Sequence, residues 1–135
     1  MCSFFGRYLT REQGAQAIFA VTRWWEAFFR GAGQIGAGEI EERQGIMLAG
    51  LAAEVPTLEH YIWSTLPAAE EITKGKFPVP HFDYKAKVDN HIRKNMPDLA
   101  AKTVFLMFGF YPSNFAFFPM LEPQPVVSQC SRNAH

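Results

Sequence analysis

The sequence predicts an α/β fold, a partial Rossmann-like parallel sheet of about three strands with flanking helices. Three observations carry that prediction. The runs Ala17–Thr22, Tyr61–Ser64 and Thr103–Phe108 are apolar on both faces and short, as strands inside a covered sheet are. Helical patterns separate them, and strands alternating with helices make a parallel sheet. The composition, 48% hydrophobic and 15% aromatic over 135 residues, supplies enough apolar surface to offset the entropy of ordering one domain and excludes a disordered chain.

Each element follows in order. Ala17–Thr22 is the first strand, and Trp24-Trp25-Glu26-Ala27-Phe28-Phe29 comes after it, with the two tryptophans read as core and lid packing. The glycine-rich stretch Gly31–Gly38 predicts an irregular surface loop. From Glu39 to about Val55, the apolar residues Ile40, Met47, Leu48, Leu51 and Val55 share one helical face, with Glu41, Glu42 and Arg43 on the other. Acidic residues suit the first turns of such a helix, and Pro56 ends it. His60-Tyr61-Ile62-Trp63-Ser64 has the composition of a second strand, stopped by Pro67. A loop with two prolines, Lys74–Pro80, leads to a second helix with Asp83 as its N-cap, running to about Lys94 with Tyr84, Val88, His91 and Ile92 as its apolar stripe. Thr103–Phe108 is the third strand. Beyond Gly109 the chain turns aromatic and irregular, and 123–135 reads as a flexible tail. Thr103–Leu121 carries no charged residue, but Tyr111-Pro112-Ser113-Asn114 and Pro119 interrupt it, so no membrane span is expected.

Thirteen basic residues balance thirteen acidic ones, which leaves no excess charge to hold nucleic acid or an anionic bilayer. Cys2 and Cys130, near the two ends, cannot build a disulfide framework or a zinc site. Free thiols and a start without a basic leader and long apolar run predict an intracellular protein, in the cytoplasm or the nucleus. His60, His91 and His135 lack metal-ligand spacing, so no metal is expected, and Asp83 and Asp89 read as ordinary helix residues. Gly31-Ala32-Gly33-Gln34-Ile35-Gly36 matches the dinucleotide fingerprint letter for letter. Trp25–Arg30 before it make a poor central strand, however, and Ser64-Thr65 stand where an acidic residue would hold a ribose. The motif therefore reads as a loop leading into a helix.

Longer motifs run in a recognisable order. They are Gly14-Ala15-Gln16-Ala17-Ile18-Phe19-Ala20-Val21-Thr22 with Trp24-Trp25, Glu41-Glu42-Arg43-Gln44-Gly45, and His60-Tyr61-Ile62-Trp63-Ser64-Thr65-Leu66-Pro67. Lys76-Phe77-Pro78-Val79-Pro80-His81-Phe82-Asp83-Tyr84-Lys85 and Gly109-Phe110-Tyr111-Pro112-Ser113-Asn114-Phe115 follow. In this order they resemble the NmrA-like family of atypical short-chain dehydrogenases/reductases, over about three quarters of the chain. The resemblance implies a Rossmann domain that binds NADP or NAD. It divides the chain into an atypical segment 1–13, a partial cofactor-binding domain 14–122 and the tail 123–135. The family's glycine fingerprint and first strands would precede Gly14, and most of its substrate-binding part would follow the last strand. The resemblance thus implies a member truncated at both ends that binds the cofactor weakly.

It also assigns roles to residues. A lysine at the position of Lys85 bonds the nicotinamide ribose and lowers the pKa of a neighbouring proton donor; a solvated helix lysine is the plain alternative. Catalytic relatives place a tyrosine four residues earlier, where this chain has His81, so the phenol-donor mechanism is not preserved. His81 also reads as a loop residue packed between Pro80 and Phe82. Thr22, Ser64 and Thr65 end strands where cofactor contacts are expected, or simply cap those ends. Tyr111, Ser113 and Asn114 fall on the substrate and nicotinamide side. The implied function is a non-catalytic or degenerate redox-sensing regulator, with an NAD(P)H-dependent reductase of a biosynthetic pathway or an inactive remnant as alternatives. Its expected partners are a transcription factor or a second copy joined through exposed sheet edges.

Overall fold

A computed structural model describes residues 14–108. The chain enters strand β1 (Ala17–Ala20), turns through a short helix α1 (Trp24–Ala27) and a wider helical turn over 28–32, and continues into the long helix α2 (Gly33–Ala53). Strand β2 (His60–Thr65) leads to a single turn α3 (Ala69–Ile72), helix α4 (Pro80–Asn95), the short α5 (Pro97–Ala100) and strand β3 (Thr103–Met107). The three strands form one parallel sheet in the order β1-β2-β3. Ile18 stands opposite Tyr61 and Tyr61 opposite Thr103, while Ala20, Trp63 and Phe105 form the next row on the same face. The predicted α/β architecture and its three neighbouring parallel strands, each joined through a helix, are therefore present.

Both long helices pack against each other and against the sheet face that carries Tyr61 and Trp63, and the core lies between them. Trp63, Tyr61, Val88 and Ile92 are fully buried there, with Ala49 and Ala52 from α2. The opposite face, with Phe19, Ile62 and Val104 in one row, is not covered in the same way among the described residues: Phe19 is 55% and Val104 50% exposed. Among the described residues, the expected cover is present on one face. Apolar residues on both sides of a strand fit it for two covering layers, and the described elements supply one.

The start and the buried face of α2 also differ from expectation. Gly31–Gly38 is not an irregular loop: Gly31 (φ 92°) and Gly33 (φ 68°, ψ 176°) have non-helical backbones at the junction, and the residues after Gly33 continue as the helix. Glycine disfavours a helix interior, but here close packing overrides propensity. A Cβ at Gly38 would overlap the Tyr84 ring, and one at Gly45 would lie 2.8 Å from Val88 Cγ2 and 3.0 Å from Trp63 Cη2. The glycines let two helices and a sheet meet. A helix and a helical turn, not a strand, lead directly into this stretch, so it is not a strand-to-helix phosphate turn, as the sequence led us to expect. The face turned inward is a stripe of small residues, Ala37, Gly38, Gly45, Ala49 and Ala52, interrupted by Glu41. Met47, expected on the apolar face, is 39% exposed.

Helix α4 opens at Pro80, whose fixed φ and missing N–H suit the first helical position. Asp83 is not its N-cap residue but lies within the first turn. Its carboxylate accepts the backbone N–H of Val79 at 2.7 Å and of Glu70 at 2.8 Å, which caps α4 and ties α3 to it. The inward face of α4 carries Lys85, Val88, Asp89 and Ile92, while Tyr84 and His91 are half-buried.

Candidate functional site

Parallel strands deliver the ends of their chains, and the polar residues that follow, to one edge of the sheet. At that edge Thr22, Ser64, Thr65, His81 and Lys85 line a single cavity of about 420 Å³. Thr22 follows β1, Ser64 and Thr65 close β2, and His81 and Lys85 stand one turn apart at the start of α4. Five residues singled out from the sequence are brought together. Tyr111, Ser113 and Asn114, like Cys2 and Cys130, lie outside the described residues.

Lys85 is not a solvated lysine. Its Nζ donates to Thr22 Oγ1 at 2.9 Å and to the Ser64 carbonyl at 3.3 Å, and it lies 3.2 Å from Glu41 Oε1. The Thr22 hydroxyl donates in turn to the same Glu41 oxygen at 2.8 Å. The ammonium thus has two hydrogen-bond acceptors, and its charge is matched at contact distance by a carboxylate that is 1% exposed. The Trp63 ring lies beneath, its centroid 5.1 Å from Nζ. Glu41 is the residue that sequence reasoning missed, having been assigned to the solvent face of α2. The signal was available: Ala37, Glu41, Gly45 and Ala49 recur every fourth position. Counting small residues, rather than large aliphatics, as the buried face would have placed Glu41 among them.

Two further buried groups remain. Glu41 Oε2 and Trp24 Nε1 are shut off from solvent and have no hydrogen-bond partner among the described residues. Leaving such a group unmade costs about 1–3 kcal/mol, more when it is charged. Both residues line the same cavity. Trp24 is core packing, as expected, whereas half of Trp25 is exposed at the cavity mouth.

His81 is not a loop residue but belongs to the first turn of α4. Its ring packs among Trp24, Trp25 and Phe82, with centroids 5.4, 5.7 and 4.7 Å away. Burial lowers its pKa below the usual imidazole value, against the opposing pull of the Glu41 and Asp83 carboxylates. Deeper in, Asp89 accepts the Trp63 indole N–H at 2.8 Å. Burial raises its carboxyl above the usual range, opposed by hydrogen bonds from Thr65 and Trp63 and by the charges of Arg93 and Lys85. Asp89 is thus a buried link between β2 and α4 rather than an ordinary helix residue. No group of three metal-ligating side chains occurs among the described residues, and no described helix is long and apolar enough to cross a membrane.

A parallel sheet with helical crossovers and a cavity at its strand ends, mostly apolar with a few convergent polar groups, defines a Rossmann-like α/β protein of the nucleotide-binding type. Residues 12–130 match the model of the NmrA-like family, and the chain belongs to that family, whose members are generally of the NAD(P)-binding type. Over 83 residues it is 32% identical to an NmrA-like family domain-containing protein of Dictyostelium discoideum. That stretch is 59% of this chain and 26% of the relative, so the chain spans about a quarter of the relative's length.

Proposed function

We propose that the cavity receives the nicotinamide end of an NAD or NADP cofactor and that the protein senses the cofactor without reducing a second substrate. One observation carries this reading: the Lys85 ammonium is held by Glu41 Oε1, Thr22 Oγ1 and the Ser64 carbonyl. A lysine so engaged has no free charge with which to acidify a neighbouring proton donor. The donor position itself carries His81, an imidazole that burial keeps neutral near pH 7 and therefore a poor acid there.

The residues present fit the nicotinamide end better than a phosphate. Lys85 and Glu41 cancel in charge, and Trp25, Phe29 and His81 add rings to the walls, so an uncharged aromatic ring meets complementary surface. When bound, the nicotinamide supplies hydride chemistry. Thr22 and Ser64 would hold its ribose side, and Lys85 would orient them. The regulatory output would pass to a transcription factor or to a second copy joined along β1 or β3, the edge strands of the described sheet. Cytoplasm and nucleus both suit that role.

The test pairs binding with turnover. NADPH titrated into the full chain should change the fluorescence of Trp24 and Trp25, while NADPH oxidation with a panel of quinones and enones stays at the uncatalysed rate. Turnover above that rate would establish the reductase alternative and overturn this reading.

A further inference from the structure

We propose that Arg23 makes the mouth of the cavity a site for a small aromatic carboxylate, with the guanidinium holding the acid group and Trp25 and Phe29 covering the ring. The inference goes beyond the cofactor reading and does not depend on it.

The charges that line the cavity do not all cancel. Near pH 7 its charged side chains are Arg23, Glu26, Glu41 and Lys85, since burial keeps the His81 imidazole neutral there. Three of the four are matched. Lys85 Nζ lies 3.2 Å from Glu41 Oε1, and Glu26 Oε1 accepts from Arg30 Nη2 at 2.7 Å. Arg23 has no hydrogen-bond or ion-pair partner among the described residues. It is exposed and still lines the cavity, so it stands at the mouth, open to a ligand arriving from solvent. A guanidinium stays charged, and its fork of donors matches the two oxygens of a carboxylate. The surface around it is apolar. Val21, Trp25, Phe29 and Leu66 line the same cavity, and the Trp25 and Phe29 rings stand 5.9 Å apart with their planes at 26°. Trp25 is 51% and Phe29 78% exposed, so a planar ring laid against them removes aromatic surface from water. An inorganic anion leaves those rings uncovered, and a neutral arene leaves the guanidinium unmatched. An aromatic carboxylate satisfies both. The cavity, about 420 Å³, has the size of small-molecule sites.

Isothermal titration of the full chain, without cofactor, with cinnamate, cinnamamide and acetate tests the site. Cinnamate should bind at least about tenfold more tightly than cinnamamide, its neutral counterpart, the worth of one hydrogen bond to a charged group. It should exceed acetate, which lacks the ring, by at least about the same factor. Arg23→Gln, at an exposed position, should bring cinnamate down to the affinity of cinnamamide. Trp25→Ala should weaken both several-fold. Equal binding of cinnamate and cinnamamide overturns the proposal, and so does a preference for cinnamate that survives Arg23→Gln. Acetate binding as tightly as cinnamate overturns the aromatic part, and no binding of any of the three overturns the whole. Each of these failures leaves the cofactor reading standing, because NADPH titration tests that reading separately.

Discussion

At the scale of single residues, the buried pair of Lys85 and Glu41 decides what the site can do, and it is costly to break from one side. Lys85→Met leaves the Glu41 carboxylate buried without its cation, 1% exposed, and should lower stability by about 3–5 kcal/mol. Adding Glu41→Gln to that variant should recover most of the loss, and urea unfolding of the two variants measures both. His81 offers a second check, by proton NMR titration. Its midpoint should lie below the ordinary imidazole value, and Glu41→Gln should move it lower still, since the Glu41 charge pulls it upward. The sign for stability follows from the lowered folded pKa. The contribution is fully present above the unfolded value of about 6.5 and is lost as pH falls through the folded one. Histidine-to-glutamine substitution at this position should flatten that part of the acid limb of the stability curve.

At the scale of elements, α2 shows how packing overrules propensity. Its glycines are not equivalent. A Cβ at Gly45 would meet Val88 at 2.8 Å and Trp63 at 3.0 Å, whereas one at Gly50 would meet nothing within 4 Å. Gly45→Ala should therefore destabilise by about 1–3 kcal/mol through overpacking. Gly50→Ala should stabilise by about 0.5–1 kcal/mol, because alanine loses less backbone entropy in a helix interior. Shifts of opposite sign in the urea midpoint would verify the assignment of α2's inward face. The existence of α2, β2, α4 and β3 was legible in the sequence, because periodicity, proline stops and double-sided apolarity are local signals. The start of α2 and its buried face were not legible. Both depend on how closely α4 and the sheet approach, and a glycine's letter does not say whether it stands in a turn or a tight contact.

At the scale of the whole molecule, the sheet has two unlike faces among the described residues. One is buried under α2 and α4; the other presents Phe19 and Val104 at about half exposure. Ile92, fully buried on the first side, should cost about 2–5 kcal/mol when truncated to alanine. Val104→Thr on the other side should stay within about 0.5 kcal/mol of the parent. Equal losses in thermal or urea unfolding would contradict the one-sided core. The candidate site was partly legible at this scale: Thr22, Ser64 and Thr65 were identified by their positions at strand ends together with the family resemblance, and His81 and Lys85 by the resemblance alone. They share one cavity because parallel strands deliver their ends to the same edge.

The sequence by itself determined the alternation of strands and helices, the parallel order that such alternation enforces, and the family to which the chain belongs. Each of these is written in local periodicity or in ordered motifs. Only the tertiary structure decided the state of Lys85, the burial of Glu41 and Asp89, and the orphaned atoms of Trp24 and Glu41. A side chain's charge state and hydrogen bonds depend on neighbours that come from distant parts of the chain. Thr22, Glu41, Ser64 and Lys85 meet through three separate elements and the end of a fourth, and no spacing along the sequence encodes their distances.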